Sequence, residues 1–273
     1  IPGFYGAMPD GTVKTFSRGG SDITGAVVAR AMQANLYENW TDVSGFMEAD
    51  PRIVPEPQII RYVTYKELRE LSYMGATVLH EESIFPVHQA GIPINVRNTN
   101  NPNEPGTMIV QELPTDYVPG AITGIAGRKG FTVLAIEKAM MNAEVGFGRR
   151  VLEVLERHNV AFEHMPTGID TLSLVISDTD LADRLDELVA DIRNECKPDS
   201  IEVLSNMALI ATVGHGMIRQ VGIAALLFGA LADSSVNVRM IDQGSSELNI
   251  IVGVENDDFD RAVQAIYYAF EGK

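Results

Sequence analysis

Residues 18–22 combine side chains and glycines suited to holding an anion. The segment reads Arg18-Gly19-Gly20-Ser21-Asp22 and lies between a predicted strand and a predicted helix. Glycine backbone can approach a ligand closely, a helix start offers free N–H groups, and the arginine fork matches a carboxylate or a phosphate. Either Ser21 or Asp22 can cap the helix. Because Asp22 would repel a simple anion, the segment favours a site that also handles a cation or orients a substrate for phosphoryl transfer. An ordinary strand-to-helix turn fits the same spacing.

A second polar group follows the next predicted strand, a buried one at Tyr37–Val43. Thr41 and Asp42 end this strand, and Arg52 comes after a loop rich in turn formers. Ligands of open α/β sheets bind at the carboxyl ends of strands. Thr41 and Asp42 can hydrogen-bond a base or a ribose, and Arg52 can neutralise a phosphate. A capped turn with a solvated aspartate and arginine is the alternative interpretation.

Alternating strands and helices position these groups. We predict a helix over Tyr65–Tyr73 with Thr64 as its cap, another around Ser83–Ala90, and strands at Ile92–Asn98 and Thr107–Val110. This order is typical of a doubly wound α/β region.

The chain beyond residue 113 contains a duplication. Gly146 and Gly222 lie 76 positions apart (222 − 146), and the same offset pairs Leu155 with Leu231 without a gap. Each copy reads strand, helix, strand, strand, helix, which is the ferredoxin-like order once a last strand is added. Residues 201–204 can supply that strand to the first copy, whereas the second copy ends without one. We therefore predict a linker at 113–130, a first repeat at 131–205 and a second repeat at 206–273.

Composition excludes several classes of protein. The chain has 273 residues and a formal net charge of −16, which argues against binding nucleic acid or an anionic membrane. One cysteine and no long apolar run predict a cytoplasmic protein without disulfides, and the five histidines show no metal-ligand spacing. Since the first residue is not Met, we expect a piece of a longer protein.

Four segments carry a resemblance to a known family. Thr15–Asp22 resembles the RGGSD segment of the aspartate kinases, within the amino-acid kinase family, and Gly75–His80 resembles their GAKVLH segment, with Thr77 where many members carry lysine. Trp40–Val43 and Asp50–Arg52 resemble two segments of their nucleotide site. The two repeats are similar to their paired ACT domains. The resemblance implies an α/β fold, with the C-terminal nucleotide-binding half of a doubly wound kinase domain at 1–112 and two ferredoxin-like βαββαβ (ACT) domains after it.

The resemblance also implies an activity, namely transfer of the ATP γ-phosphate to L-aspartate to give 4-phospho-aspartate, at the start of lysine, threonine and methionine biosynthesis. ATP would enter with Mg²⁺, and no tightly bound cofactor is expected. Asp22 would orient the reacting groups, and Thr41, Asp42 and Arg52 would hold ATP. The aspartate substrate would be held by Thr15, Arg18, Gly19, Gly20 and Ser21. The family's Lys-Phe-Gly-Gly-Thr segment is absent from these residues, so we expect no turnover from this chain alone.

A candidate effector site lies in the strand-to-helix loop of the first repeat. Gly146 and Gly148 flank a helix start that can accept an α-carboxylate, while Met141 and Phe147 can sandwich an aliphatic side chain. Glu163 can pair with a ligand ammonium group. With Glu144 it favours a cationic effector, and similar positions in lysine-inhibited aspartate kinases suggest L-lysine. The predicted effector residues are Met141, Asn142, Glu144, Val145, Gly146, Phe147, Gly148, Phe162 and Glu163.

Two other interpretations stay open. The chain can be a stand-alone amino-acid-sensing and dimerisation module without catalysis, because its second half is complete and its first is not. It can also be another amino-acid kinase, acting for example on glutamate. The matching loop of the second repeat, Gly214–Gly222, lacks the glutamate pair and is predicted to form an interface in a homodimer or larger assembly.

Overall fold

The computed structural model describes residues 1, 3–16, 19–76, 79 and 81–271, without the side chains of residues 81–83. The N-terminal part begins with the antiparallel strands β1 (Tyr5–Ala7) and β2 (Val13–Thr15), followed by helix α1 (Gly20–Ala31). The next elements are β3 (Tyr37–Thr41), β4 (Tyr62–Thr64), α2 (Tyr65–Tyr73), α3 (Glu81–Gln89), β5 (Ile94–Asn98) and β6 (Thr107–Val110).

Strands β3 to β6 form one mixed sheet. Its order is β3-β5-β6-β4; β3 is parallel to β5, β4 is parallel to β6, and β5 and β6 are antiparallel. The predicted buried strand at Tyr37–Val43 is wrong in one respect, because β3 lies at the edge of the sheet and Trp40 is 42% exposed. The guanidinium of Arg97 covers the indole ring, with its Cζ 4.6 Å from the ring centroid. An edge strand still places its C-terminal end beside that of β5.

The C-terminal part contains the two repeats. Its elements are β7 (Gly124–Glu137), α4 (Phe147–Arg157), β8 (Thr171–Ser177), α5 (Asp178–Leu181), α6 (Leu185–Cys196), β9 (Ser200–Val213), α7 (Ile223–Asp233), β10 (Met240–Asp242), β11 (Asn249–Glu255) and α8 (Phe259–Phe270). The strands form one antiparallel sheet in the order β10-β11-β9-β7-β8. Each repeat has its own apolar core under its helices, around Leu155 in the first and Leu231 in the second. The predicted duplication of a strand–helix unit is confirmed.

Two long strands run through both repeats, and they correct the predicted linker. Residues 133–137 of β7 pair with residues 200–204 of β9, as expected for the first repeat. Residues 124–129 are not linker; they pair with residues 208–213 and supply the strand that the second repeat lacks at its own end. The register shifts around Gly130, whose φ is +89°. The linker was predicted from the turn-forming residues of Leu113–Gly120, and its end was placed too far along the chain.

Helix α2 joins the N-terminal part to the repeats. Thr64 and Glu67 form a capping box, and Glu67 is fully buried. Its Oε1 also accepts hydrogen bonds from the Thr123 hydroxyl at 2.6 Å and from the backbone N–H of His215 at 2.8 Å. One turn further on, Glu70 accepts a bond from Asn249 at 2.7 Å. The buried carboxylate therefore fixes α2 against the second repeat.

Within the part of the chain that the structure describes, no helix combines the length and apolar character needed to cross a bilayer.

Candidate functional site

The glycine-rich turn places the start of α1 at the base of the β1–β2 hairpin. Gly19 is the N-cap, with φ +62° in the left-handed region, and no side chain caps the helix. The expected cap at Ser21 or Asp22 is therefore wrong, because the helix begins earlier, at Gly20. A Cβ at Gly20 would lie 2.6 Å from the Cα of Phe4, so only glycine lets the hairpin approach this closely. The first-turn N–H groups are left without a side-chain cap.

Asp22 is held by strand β3. The Nδ2 of Asn39 donates to its Oδ1 at 2.9 Å, and the Tyr37 hydroxyl donates to its backbone oxygen at 3.4 Å. Burial raises the pKa of Tyr37, and the nearby charge of Asp22 adds to that shift. A Cβ at Gly25 would lie 2.5 Å from the Tyr37 hydroxyl oxygen, so this glycine permits α1 to pack on β3. The carboxylate of Asp22 is thus oriented by a buried amide.

Thr41 and Asp42 lie at the C-terminal end of β3. The Thr41 hydroxyl donates to Asp42 Oδ1 at 3.2 Å, and the Thr41 carbonyl accepts bonds from Thr99 of the segment after β5. Asn39 and Thr41 are two positions apart on one strand, so their side chains point to the same face. Thr41 consequently lies on the face of β3 from which Asn39 contacts Asp22.

Arg52 is engaged elsewhere. Its guanidinium binds both carboxylate oxygens of Asp50, Nε to Oδ1 at 3.0 Å and Nη2 to Oδ2 at 2.6 Å. These bonds lower the pKa of Asp50 below its usual range. The following residues pack on the second repeat, where Gln264 of α8 donates to the Ile53 carbonyl at 2.7 Å and Val54 enters the apolar core. The predicted phosphate contact of Arg52 thus requires it to leave Asp50.

Other predicted residues around the turn have simpler environments. Thr15 ends β2 and is exposed, as is Ser21 in the first turn of α1. Arg18, predicted to bind the substrate carboxylate, lies outside the described residues, and so does Thr77.

The predicted effector loop does begin a helix. Gly146 is the N-cap of α4, with φ +84°, while Val145 is 96% exposed. Asn142 is tied by its backbone N–H to the Ile169 carbonyl at 3.2 Å. Met141 and Phe147 are buried in the core of the first repeat, so the predicted sandwich of a ligand between them is wrong. Their side chains fill the space under α4 because they are the apolar residues that face it.

Glu144 already has two cationic partners. Arg150 of α4 binds one carboxylate oxygen, and the ammonium group of Lys138 lies 3.3 Å from the other. Lys138 also donates to the Lys197 carbonyl at 2.9 Å. The expected free anionic charge at this loop is therefore compensated within the chain. Gly148 is open, with no atom within 4 Å of a Cβ built there.

Glu163 lies away from that loop, at the junction with α2. It accepts hydrogen bonds from the Tyr73 hydroxyl and, at 3.2 Å, from Arg128. Only 10% of its side chain is exposed. Burial, followed by the bond to Glu163, raises the pKa of Tyr73 to about 12. Its predicted role as a free partner for a ligand ammonium group is wrong, whereas Phe162 beside it is exposed.

Sequence reasoning missed Asn39 and Glu67. Asn39 sits in a strand, where an asparagine is unfavourable, and that was an available signal. Glu67 carries the capping-box spacing from Thr64, which predicts the local bond but not the contacts with the second repeat.

Known families and solved structures are similar to this chain in sequence and in fold. A family model described as the amino acid kinase family matches residues 1–98, and one described as the ACT domain matches residues 210–270. Aspartokinase 3 of Bacillus subtilis is 42% identical over 271 residues, covering 99% of this chain and 59% of that protein. The solved aspartate kinase of Clostridium acetobutylicum is 60% identical with a TM-score of 0.93, covering 99% of this chain and 62% of that one.

Two structures of E. coli aspartokinase III are also similar. One is in complex with aspartate and ADP, at 29% identity and a TM-score of 0.77; the other, with lysine and aspartate, is at 30% and 0.76. Each match covers 98% of this chain and 59% of that one. This chain therefore spans about three fifths of the length of these relatives.

Proposed function

This chain is a homologue of the aspartokinases, with an amino acid kinase segment and an ACT domain, and we propose that it forms the C-terminal part of such an enzyme with its regulatory module. The reaction is transfer of the γ-phosphate of ATP to L-aspartate. The proposed kinase portion covers residues 1–112, the first ACT domain 131–205, and the second 206–273 together with the strand at 124–129.

The observation that carries the proposal is the fixed carboxylate at the start of α1. Phosphoryl transfer depends on positioning and charge neutralisation more than on covalent chemistry. Asp22 is oriented by Asn39 at 2.9 Å and lies beside the uncapped N–H groups of α1. In our proposal the turn Thr15–Ser21 binds L-aspartate, with Arg18 on its α-carboxylate, and Asp22 orients the reacting groups.

ATP enters as its magnesium complex in the same proposal. Mg²⁺ is commonly bound by one or two carboxylates together with nucleotide phosphates, so the site does not need a cluster of several carboxylate ligands. Thr41 and Asp42, at the C-terminal end of β3, hold the nucleotide, and Arg52 turns from Asp50 to the phosphates. The complex of E. coli aspartokinase III with aspartate and ADP supports this choice of substrates.

Regulation by an amino acid, with L-lysine as the expected effector, is the second element of the proposal. E. coli aspartokinase III was solved with lysine and aspartate. We propose that the α-carboxylate of the effector binds at the start of α4, at Gly146–Gly148. A lysine ammonium group would compete with Lys138 and Arg150 for Glu144. The two repeats also form the proposed dimer interface, which light scattering of the purified chain would test.

A chimaera tests the catalytic proposal. We would join this chain to the segment of the Clostridium acetobutylicum aspartate kinase that precedes the matched region, and measure ADP formation with ATP, Mg²⁺ and L-aspartate. We expect turnover that requires L-aspartate, is not supported by L-glutamate, and falls at least about a hundredfold in Asp22→Asn. The 273-residue chain alone should be inactive.

The outcomes separate the alternatives. A folded chimaera without turnover, beside an active clostridial enzyme, would refute the kinase assignment. If that chain still binds L-lysine in calorimetry, an amino-acid-sensing module is the correct description. Turnover by the chain alone would refute its proposed inactivity.

A further inference from the structure

A cavity lies between the kinase portion and the second repeat. Its volume is about 260 Å³, just below the range of about 300–1,000 Å³ usual for drug-sized ligands. Both portions contribute its walls, which include Glu48, Arg61, Tyr62, Tyr117, Tyr267 and Glu271. Domain interfaces are common places for small-molecule sites. The cavity is built from elements other than the α4 loop of the first repeat.

Two carboxylates in this wall lack a cation. Among the described residues, neither Glu48 nor Glu271 has a Lys, Arg or His nitrogen within 4.0 Å. Burial, and after it the charge of Glu271, raises the pKa of Glu48. An ammonium group placed between these carboxylates would stabilise their ionised forms, and so would oppose both the burial and the mutual repulsion that raise the pKa of Glu48.

A tyrosine hydroxyl in the wall can also donate one more hydrogen bond. Tyr267 is 3% exposed, and its hydroxyl oxygen accepts the backbone N–H of Gln58 at 3.2 Å. Within the described part of the chain, no group accepts the hydrogen of that hydroxyl. Because Tyr267 lines the cavity, its hydroxyl hydrogen is available to an acceptor that a ligand brings.

The remaining walls suit an organic molecule with charges of both signs. The rings of Tyr62 and Tyr117 lie 4.8 Å apart, tilted by 54°, and present aromatic surface for an aliphatic stem or a cation. Arg61 adds a guanidinium, whose fork matches a carboxylate. Two anionic groups, one cationic group and one free hydroxyl donor thus share a small cavity.

We propose that this cavity binds a free α-amino acid, with its ammonium group at Glu48 and Glu271 and its carboxylate at Arg61 and the Tyr267 hydroxyl. A basic side chain is favoured, because the wall has more carboxylates than guanidinium groups. The ligand touches the kinase portion and the second repeat together, so its binding stabilises their contact.

Calorimetry with the complete chain tests this site, with L-lysine, L-arginine and cadaverine as probes. We expect saturable binding of at least one of the two amino acids, weakened about tenfold to a hundredfold by Glu48→Gln, as for loss of a charged hydrogen bond. Tyr267→Phe, which keeps the ring, should weaken binding about tenfold, and cadaverine, which lacks a carboxylate, should bind at least about tenfold more weakly.

The α4 loop provides the matched control. Glu144→Gln should leave this binding event unchanged, and it separates the cavity from the proposed effector site of the first repeat. Absence of heat from both amino acids would overturn the proposal. Affinities unchanged in both Glu48→Gln and Tyr267→Phe, each shown to be folded by circular dichroism, would also overturn it.

Discussion

Replacing Glu67 by glutamine tests the junction between the N-terminal part of the chain and the second repeat. The carboxylate is fully buried in α2, and both of its oxygens are used. Oε2 accepts bonds from the N–H of Thr64 at 2.8 Å and from its hydroxyl at 2.7 Å. Oε1 accepts the bonds from Thr123 and His215. In glutamine one of these oxygens is replaced by an NH₂ group. That group cannot accept hydrogen bonds, so two of the four bonds are lost and two donors are left facing another donor.

The expected cost follows from this count. A hydrogen bond to a charged group contributes about 1.5–3 kcal/mol, so losing two would cost about 3–6 kcal/mol. Burying a neutral amide in place of a carboxylate offsets part of that loss. We therefore expect Glu67→Gln to lower the free energy of unfolding by about 3 kcal/mol. Thr123→Val removes one of the donors to Oε1 and should cost about 1–2 kcal/mol.

Urea unfolding followed by two signals provides the assay. Trp40 is the single tryptophan and lies in β3 of the N-terminal part, so its fluorescence reports on that part, while circular dichroism reports on the whole chain. We expect the two midpoints to separate in Glu67→Gln, because the tie between the portions is broken. Glu153→Gln, in the exposed pair with Arg149, is the control and should change stability by less than about 0.5 kcal/mol.

A loss below about 1 kcal/mol in Glu67→Gln, with both signals still coincident, would refute the role of Glu67 at the junction. That result would mean that the amide is accommodated by rearrangement of Thr64 or His215. A loss equal to that of Glu153→Gln would also show that the buried carboxylate adds nothing.

Three further changes have defined outcomes. Gly45→Ala places a Cβ against the Thr107 hydroxyl at φ +119° and should lower the free energy of unfolding by about 3 kcal/mol in urea titrations. Arg52→Ala should slightly lower the melting temperature at pH 7; the effect disappears as pH falls through the lowered pKa of Asp50, and an effect that persists after Asp50 is protonated would contradict this. Glu48→Gln should raise stability by less than about 1 kcal/mol at pH 7, because the raised pKa means that ionised Glu48 is destabilising; the gain should shrink as pH falls through that raised pKa and vanish only below the ordinary pKa of glutamate in the unfolded chain.

Local patterns in the sequence were sufficient for most elements. The helix at Tyr65–Tyr73 and the strand at Thr107–Val110 have the predicted bounds. The spacing of Thr64 and Glu67 determines a capping box, because the two partners are three residues apart. The duplication was readable because each copy must bury the same face of the same helices. These features depend on neighbours in the chain or on periodicity.

Tertiary structure decided which partners the charged residues take. The sequence placed Glu144 and Glu163 in the first repeat but not their partners. The hydroxyl of Tyr73, 90 positions away in α2, donates to Glu163, so this carboxylate lies at the junction with the N-terminal part. Likewise, Glu67 meets His215 across 148 positions. Residues 124–129 pair as a strand because β9 offers them an unpaired edge, which no local pattern records. Hydrogen-bond donors and acceptors are satisfied by whatever packs against them, so their roles were settled only when the two portions of the chain came together.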